Sequence, residues 1–175
     1  IWIAEDFADG EDIAVILGDN AIGETFEEDI REFDGGAKIF LNRVENPERF
    51  GIADVDNGEI QNIVEKPDDP PPNLAITGMY LYDNAVFDHI QKLELSERNE
   101  LEVTDLNRIY LENGELDHRE FDSYWFDSGT FEGLYEANTH LRERKLQGDE
   151  RGVQIEKTDW GQRGKDMLEI SEEDI

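Results

Sequence analysis

The chain has 175 residues, and 45 aspartates and glutamates against 16 lysines and arginines give it a formal net charge of −29 at pH 7. A surface this acidic repels nucleic acids and anionic membranes, and the lack of cysteine excludes disulfides, thiolate catalysis and Cys-ligated zinc. Because no apolar stretch approaches the roughly 20 residues of a membrane span, we expect a folded cytoplasmic protein whose acidic surface suits concentrated salt.

Predicted helices and strands alternate through the amino-terminal part of the chain. Residues 1–7 are interpreted as a helix. Residues 12–17 are interpreted as a strand buried on both faces of a parallel sheet, because almost every side chain in that run is apolar. An acidic helix over residues 25–33 and a strand over residues 38–44 follow. This alternation is typical of an α/β sheet with right-handed crossovers.

A hairpin is predicted at the centre of the chain. Two runs rich in apolar residues, 52–55 and 60–64, flank Asn57 and Gly58, a pair that supplies the positive φ angles of a tight turn. Two antiparallel strands joined at this pair are therefore predicted.

A third central strand is predicted at residues 74–82, after a proline-rich loop, and Gly78 within it indicates close approach of a ligand or another backbone. The remaining predicted elements are helices at residues 85–93, 104–113 and 131–147 and strands at residues 121–126 and 153–155. The sequence thus predicts a mixed α/β sheet with flanking helices and an antiparallel hairpin insertion.

Two aspartates stand directly after predicted strands. Asp19 follows the apolar run and a glycine, and Asp127 follows an aromatic run. Ligands of open α/β sheets bind outside the carboxyl ends of strands, and two carboxylates meeting there would suit Mg²⁺ with phosphate oxygens. From spacing alone, a turn role for Asp19 and a capping role for Asp127 beside Ser128 stay open.

Positive charge is scarce, so its position is informative. Glu65 and Lys66 stand at the end of the second hairpin strand, where Pro67 stops the ladder. Arg98 offers a fork of donors that matches phosphate oxygens, and Lys66 offers a point charge. The alternative for the Glu65–Lys66 pair is a solvated salt bridge with no role in binding.

Five motifs stand in order along the chain: Pro-Glu-Arg-Phe-Gly (47–51), Val-Glu-Lys-Pro (64–67), Ile-Thr-Gly-Met-Tyr-Leu-Tyr-Asp (76–83), Ser-Glu-Arg-Asn-Glu-Leu-Glu-Val-Thr-Asp-Leu-Asn (96–107) and Trp-Phe-Asp-Ser-Gly-Thr (125–130). With them the chain resembles the sugar-1-phosphate nucleotidylyltransferases, most closely the glucose-1-phosphate thymidylyltransferases, as far as about Gly148. The resemblance implies a Rossmann-like fold, with residues 1–148 as the transferase domain and residues 149–175 as a carboxy-terminal extension.

The resemblance also implies roles for particular residues. Asp19 and Asp127 match the family's Mg²⁺ ligands. The residues that match its sugar-phosphate site are Asn20, Gly51, Glu65, Lys66, Ile76, Tyr80 and Arg98. Within this set, Glu65 is expected to contact the sugar hydroxyls and Lys66 is expected to contact the phosphate. Tyr80 and Arg98 are expected to close around the phosphate.

The implied reaction is in-line attack of glucose 1-phosphate on the α-phosphorus of dTTP, giving dTDP-glucose and pyrophosphate without a covalent intermediate. The family's glycine-rich loop, its lysine and its base-reading glutamine would precede Ile1. We therefore expect the fold to be incomplete at its amino terminus and these residues alone to be inactive. A uridylyl- or guanylyltransferase, a non-catalytic sugar-phosphate binder and a homo-oligomer partner stay open as alternatives.

Overall fold

The computed structural model describes residues 1–69, 74–96 and 99–146. Within these ranges the strands are β1 (Ile13–Ile16), β2 (Asn20–Ile22), β3 (Ala37–Arg43), β4 (Gly51–Asp56), β5 (Glu59–Glu65), β6 (Leu74–Tyr82), β7 (Leu116–Glu120) and β8 (Trp125–Asp127). The α-helices are α1 (Glu5–Ala8), α2 (Glu27–Glu32), α3 (Val86–Ile90), α4 (Val103–Asn113) and α5 (Phe131–Leu146), and 3-10 turns occupy Trp2–Ala4 and Pro47–Arg49. No helix in these ranges is long and apolar enough to cross a bilayer.

One mixed sheet organises the fold. Its strand order is β5-β4-β6-β3-β7, with β1 also paired to β6. Its described pairings are antiparallel except that of β3 with β7, which is parallel. Strands β2 and β8 form a separate antiparallel ladder, and α4 packs against β5 and β7. The predicted mixed α/β architecture with flanking helices is confirmed.

The hairpin of β4 and β5 turns where the sequence predicts it. Asp56 pairs with Glu59, so the loop consists of Asn57 and Gly58 alone. Their φ angles are +52° and +83°. Two consecutive positive φ angles give the turn a twist that matches the twist of the flanking strands.

Strand β6 lies at the centre of the sheet, and all nine of its residues are buried. Because side chains alternate between the two faces of a strand, β6 contributes to two separate apolar clusters. Tyr80 and Tyr82 belong to the larger cluster, whereas Met79 and Leu81 pack in a second one with Phe40.

One edge of β6 is shared by two strands with a break between them. Ala75 pairs with Ile52 at the start of β4, and Met79 pairs with Ile16 at the end of β1. Because β1 and β4 both run antiparallel to β6, the end of β1 faces the start of β4 across residues 76–78. The segments after β1 and before β4 therefore meet at this break.

The prediction for residues 12–17 is wrong in direction and in burial. Strand β1 pairs antiparallel with β6. Ile13 and Val15 pack on the larger cluster, whereas Ile16 is 60% exposed. An uninterrupted apolar run fits a strand buried on both faces, but here only alternate residues are covered by the described chain.

Strand β7 was not predicted because Leu-Asp-His-Arg-Glu carries charges where an apolar alternation is expected. These charges form ion pairs with side chains of β3 and α2. Lys38 lies 3.2 Å from Asp117 and 3.2 Å from the buried Asp29, which also pairs with Arg119. Burial alone would lower the pKa of Lys38, but the hydrogen bonds and charges of both aspartates raise it overall. Ion pairs thus stabilise an edge strand that periodicity misses.

The predicted strand at residues 121–126 is wrong over most of its length, since only its last two residues belong to β8. Phe121 is buried, but it lies in a loop. The side-chain amide of Asn42 donates to the carbonyls of Phe121 at 2.8 Å and Ser123 at 3.0 Å. The loop thus has aromatic residues like a strand, but its carbonyls bond to a side chain instead of a neighbouring strand.

Residues Ile1–Ala137 form one compact unit, and a second unit begins at Asn138. Of the second unit, the structure describes the end of α5. The predicted strand at residues 153–155 and the extension at residues 149–175 lie outside the described residues. The predicted domain boundary at residue 148 stays a prediction.

The acidic composition leads to a prediction about salt. We expect the thermal transition to fall by about 10 °C when KCl is lowered from 2 M to 0.1 M, which corresponds to roughly 3 kcal/mol of unfolding free energy. The reason is that the screening length grows to about 10 Å at 0.1 M, so that repulsion among 45 acids is felt. Circular dichroism over a KCl series measures the shift.

The same series at pH 4 is the control, because many carboxylates are then protonated and the salt effect should shrink. A transition temperature that does not change with KCl at pH 7 would show that the acidity is not an adaptation to salt.

Candidate functional site

The break in the edge of β6 lies in the wall of an open cavity of about 280 Å³. The predicted site residues that line this cavity are Asp19, Asn20, Gly51, Glu65, Lys66, Ile76, Tyr80 and Asp127. The ninth predicted residue, Arg98, lies outside the described residues. The structure thus brings together eight residues from five separate stretches of sequence, while their roles toward a ligand stay predictions.

Two carboxylates converge in the cavity. The ladder of β2 and β8 pairs Asn20 with Asp127, and the amide of Ser128 donates to the Asp19 carbonyl at 2.6 Å. Asp19 Oδ2 and Asp127 Oδ1 lie 3.0 and 3.1 Å from the point where a β-carbon on Gly129 would stand. Because Gly129 has no side chain, a small space faced by both carboxylates is left.

These aspartates also have local structural roles. Asp127 Oδ1 accepts the amide N–H of Gly129 at 3.1 Å, so its carboxylate helps to close the turn after β8. In residues 1–69, 74–96 and 99–146 no group of three or more His, Asp or Glu side chains is arranged to hold a metal. A cation in this space would take two carboxylates from the described chain and its other ligands from water or substrate.

Asn20 ties the carboxylate ladder to the central strand. Its Oδ1 accepts the Gly78 amide at 2.9 Å and the Trp125 indole N–H at 2.6 Å, and its Nδ2 donates to Asp19 Oδ1 at 2.9 Å. A β-carbon on Gly78 would stand 2.4 Å from Asn20 Nδ2, which explains the glycine inside a buried strand. In the described structure these contacts make Asn20 a positioning residue.

Glu65 is positioned by a residue that the sequence analysis did not select. The hydroxyl of Thr104, near the start of α4, donates to Glu65 Oε2 at 2.5 Å. A β-carbon on Gly51 would stand 2.9 Å from that hydroxyl and 3.1 Å from Glu65 Oε2, so only glycine fits beside the pair. The signal was the Glu-Val-Thr-Asp sequence, in which Thr104 has the pattern of a helix start.

Lys66 has an unusual backbone conformation. Its φ angle is +42°, in the left-handed region that costs a residue with a β-carbon of order 1 kcal/mol or more. Its amide donates to the carbonyl of Phe50 at 3.0 Å, which holds the backbone in place. Its ammonium lies 3.6 Å from Glu65 Oε1, and the side chain is 44% exposed. The pair is thus long and partly solvated, which leaves the ammonium accessible to an anion.

Tyr80 is a neutral donor within this acidic cavity. Burial, together with the charges of Glu65 and Asp19, raises the pKa of its hydroxyl above the usual value. The ring stacks on Tyr82 with centroids 5.8 Å apart. Its hydroxyl therefore stays protonated at neutral pH.

Arg49 and Trp125 also line the cavity and had not been selected as ligands. Arg49 Nη2 lies 3.5 Å from Asp127 Oδ2, and its guanidinium lies 5.3 Å from the ring centroid of Phe50. The rings of Phe50 and Trp125 are 5.0 Å apart. Arg49 belongs to the Pro-Glu-Arg-Phe-Gly motif, so a signal was present in the sequence.

The cavity therefore has two chemically different sets of groups. Asp19 and Asp127 supply oxygens suited to a hard cation. Glu65 can accept hydrogen bonds from hydroxyl groups, and Lys66 can bind an anionic group beside it. A polar ligand that carries both hydroxyls and a phosphate matches this arrangement.

A family model described as nucleotidyl transferase matches residues 1–144. The chain belongs to the nucleotidyl transferase family. Its curated relatives include a low-salt glycan biosynthesis nucleotidyltransferase, Agl11, from Haloferax volcanii, which is 45% identical over 147 residues. That match covers 81% of this chain and 41% of the relative.

Another curated relative of this nucleotidyl transferase is the glucose-1-phosphate thymidylyltransferase of Neisseria meningitidis. It is 39% identical over 149 residues, which cover 80% of this chain and 51% of the relative. The chain thus spans about half the length of the curated relatives it matches.

Solved structures of the family share the fold. A Bacillus anthracis protein described as a glucose-1-phosphate thymidylyltransferase, solved with sucrose, superposes with a TM-score of 0.76 and 42% identity. The match covers 81% of this chain and 59% of that one. A UDP-glucose pyrophosphorylase complexed with UDP-glucose gives a TM-score of 0.70 at 25% identity, over 82% of this chain and 61% of that one. These neighbours confirm the Rossmann-like fold class.

Proposed function

We propose that the complete protein transfers a thymidylyl group from dTTP to glucose 1-phosphate, releasing pyrophosphate and forming dTDP-glucose. The observation that carries the proposal is the single cavity in which the Asp19–Asp127 pair and the Glu65–Lys66 pair meet. The relatives named glucose-1-phosphate thymidylyltransferase support the choice of sugar phosphate and base.

Sugar binding would depend on Glu65, because its carboxylate can accept hydrogen bonds from two neighbouring hydroxyls. Thr104 holds one carboxylate oxygen, which limits the rotation of the side chain before the sugar arrives. Fixing an acceptor in this way lowers the entropy lost on binding. Lys66, whose ammonium is held only loosely, would turn from Glu65 to the phosphate.

In the proposed reaction an oxygen of the sugar phosphate forms a bond to the α-phosphorus of dTTP while the bond to the β-phosphate oxygen breaks. Pyrophosphate takes the electron pair of the broken bond. The attacking phosphate oxygen is already anionic, so no side chain has to remove a proton. The chain contributes by positioning the sugar phosphate and by neutralising phosphate charge through Lys66 and, as proposed from the sequence, Arg98.

We further propose that Asp19 and Asp127 hold Mg²⁺. The donor set fits, because two carboxylate oxygens face one small space that the missing side chain of Gly129 leaves open. Mg²⁺ prefers oxygen ligands and commonly combines one or two carboxylates with substrate phosphates and waters. When bound, it would supply positive charge to phosphate oxygens of the substrates.

A second candidate is uridylyl transfer, because the UDP-glucose pyrophosphorylase neighbour has the same fold around the matched residues. No described residue of this cavity has been assigned to the base. A kinetic comparison of dTTP with UTP therefore decides between the two activities. Homo-oligomer formation also stays a prediction.

The test is release of pyrophosphate by the complete protein in the presence of Mg²⁺, glucose 1-phosphate and each nucleoside triphosphate in turn. We expect dTTP to give the highest kcat/KM, with no release when the sugar phosphate is left out or EDTA is added. Faster turnover with UTP would replace thymidylyl by uridylyl transfer. No release with any triphosphate would contradict the proposed activity.

A further inference from the structure

The carboxylate of Asp127 is shared between two neighbours. Its Oδ1 accepts the Gly129 amide N–H, and its Oδ2 lies 3.5 Å from Arg49 Nη2. Arg49 ends the 3-10 turn that precedes β4. Among the described residues that line the cavity, Arg49 and Lys66 are the basic ones. Each of them contacts one of the carboxylates that we assign to ligand binding.

We propose that Arg49 is a phosphate-binding side chain of this site, which neutralises Asp127 before ligands bind and turns to the phosphate of the sugar phosphate once a divalent cation occupies the two carboxylates. The inference rests on the proposed function and assigns to it a residue that the sequence analysis did not select.

The present contact is weak enough to be exchanged. Its length is 3.5 Å, and the side chains of Arg49 and Asp127 are 46% and 28% exposed. Ion pairs in such solvated positions contribute little to stability. The guanidinium can therefore leave the carboxylate without a large loss.

The charges of the bound ligands would favour the movement of Arg49 from Asp127 to the phosphate. A divalent cation held by Asp127 would repel the guanidinium, whereas a phosphate beside it would attract the same group. Arginine presents several N–H donors in a planar fork that matches two phosphate oxygens at once. Arg49 would then bind the phosphate as a geometric partner, where Lys66 acts as a point charge.

The position of Arg49 suits this second role. The amide of Lys66 donates to the carbonyl of Phe50 at 3.0 Å, so the two basic residues stand on adjoining backbone segments. The guanidinium also lies over the ring of Phe50 at 5.3 Å, which restricts the directions that it can take. Two cations on neighbouring segments can therefore contact one phosphate from two sides.

The test measures Mn²⁺ binding by electron paramagnetic resonance and glucose 1-phosphate binding by calorimetry, on the complete protein. The lowest KCl concentration that keeps the chain folded is used, because salt screens the effect. Without sugar phosphate, Arg49→Gln should bind Mn²⁺ about five- to tenfold more tightly, since a competing positive charge is gone. With Mn²⁺ present, the same variant should bind glucose 1-phosphate about tenfold or more weakly.

Arg49→Lys separates charge from geometry: it should keep the Mn²⁺ affinity of the wild type and recover only part of the phosphate affinity. Arg31→Gln is the matched control, because Arg31 pairs with Glu27 on the exposed face of α2 and loses the same charge away from the cavity. Arg49→Gln with wild-type affinity for either ligand would overturn the proposal for Arg49 alone. A complete wild-type protein that binds neither Mn²⁺ nor glucose 1-phosphate would overturn the proposed function and this inference with it.

Discussion

Asp127→Asn is expected to lower the kcat of the complete protein by roughly 10²–10³-fold, the range found when one charge-stabilising group is removed from an active site. The amide has the shape of the carboxylate, so it can still accept the Gly129 N–H that closes the turn after β8. What it loses is the negative charge that faces Asp19 across the space at Gly129. The Mg²⁺ concentration needed for half-maximal rate should therefore rise while the fold is retained.

Steady-state kinetics over an Mg²⁺ series measures both effects. Asp122→Asn is the matched control, because Asp122 is an exposed aspartate in the loop before β8 that does not line the cavity. If Asp127→Asn kept the wild-type kcat and Mg²⁺ dependence, Asp127 would not be a ligand of Mg²⁺. A melting temperature equal to that of the wild type shows that any loss is not due to unfolding.

Local turn chemistry made the central part of the fold predictable. Asn57 and Gly58 specify a two-residue turn because they tolerate positive φ, and the structure has both angles positive. The bounds of β6 were also predicted correctly, because an apolar run of nine residues fills both faces of a central strand. Helix α4 ends as expected at Gly114, whose φ of +74° suits a helix carboxy terminus.

The misses arise where tertiary contacts replace the sequence pattern. Strand β7 is polar because Lys38 and Asp29 on neighbouring elements pair with its charges. The loop before β8 has the aromatic residues of a strand, but Asn42 holds it through hydrogen bonds to two of its carbonyls. Neither the partners nor the hydrogen bonds can be read from the local sequence, so periodicity favours the wrong element in both places.

The grouping of eight predicted residues in one cavity follows from their motifs, many of which mark the ends of strands that meet at the break between β1 and β4 along the edge of β6. Their roles toward a ligand stay predictions. Thr104 was missed because a hydroxyl near a helix start has a sufficient local explanation in the sequence. Arg49 was missed because nothing in a turn before a strand indicates that its side chain reaches a carboxylate 78 positions away. Both contacts become visible only when the segments are placed in space.

Glu65→Gln is expected to raise the KM for glucose 1-phosphate by about ten- to a hundredfold while kcat at saturation changes little. A hydrogen bond to a charged acceptor contributes roughly 1.5–3 kcal/mol, and about 1.4 kcal/mol corresponds to each tenfold change in affinity. The substitution also releases Lys66 from its contact at 3.6 Å. That gain is smaller, because exposed pairs contribute at most about 1 kcal/mol, so the net effect stays a loss.

Glu59→Gln is the matched control, since Glu59 is an exposed glutamate at the other end of β5. Its KM should equal that of the wild type. A Glu65→Gln variant with unchanged KM would mean that the carboxylate beside Thr104 only stabilises the fold.

The most direct test of the two-part cavity is calorimetry of glucose 1-phosphate binding to the wild type, Glu65→Gln and Asp127→Asn, without Mg²⁺ so that the cation does not couple the two ends. We expect Glu65→Gln to lose about ten- to a hundredfold in affinity, whereas Asp127→Asn should bind the sugar phosphate at least as tightly as the wild type, because it releases Arg49 from its ion pair. Binding that survives Glu65→Gln and is abolished by Asp127→Asn would contradict this account.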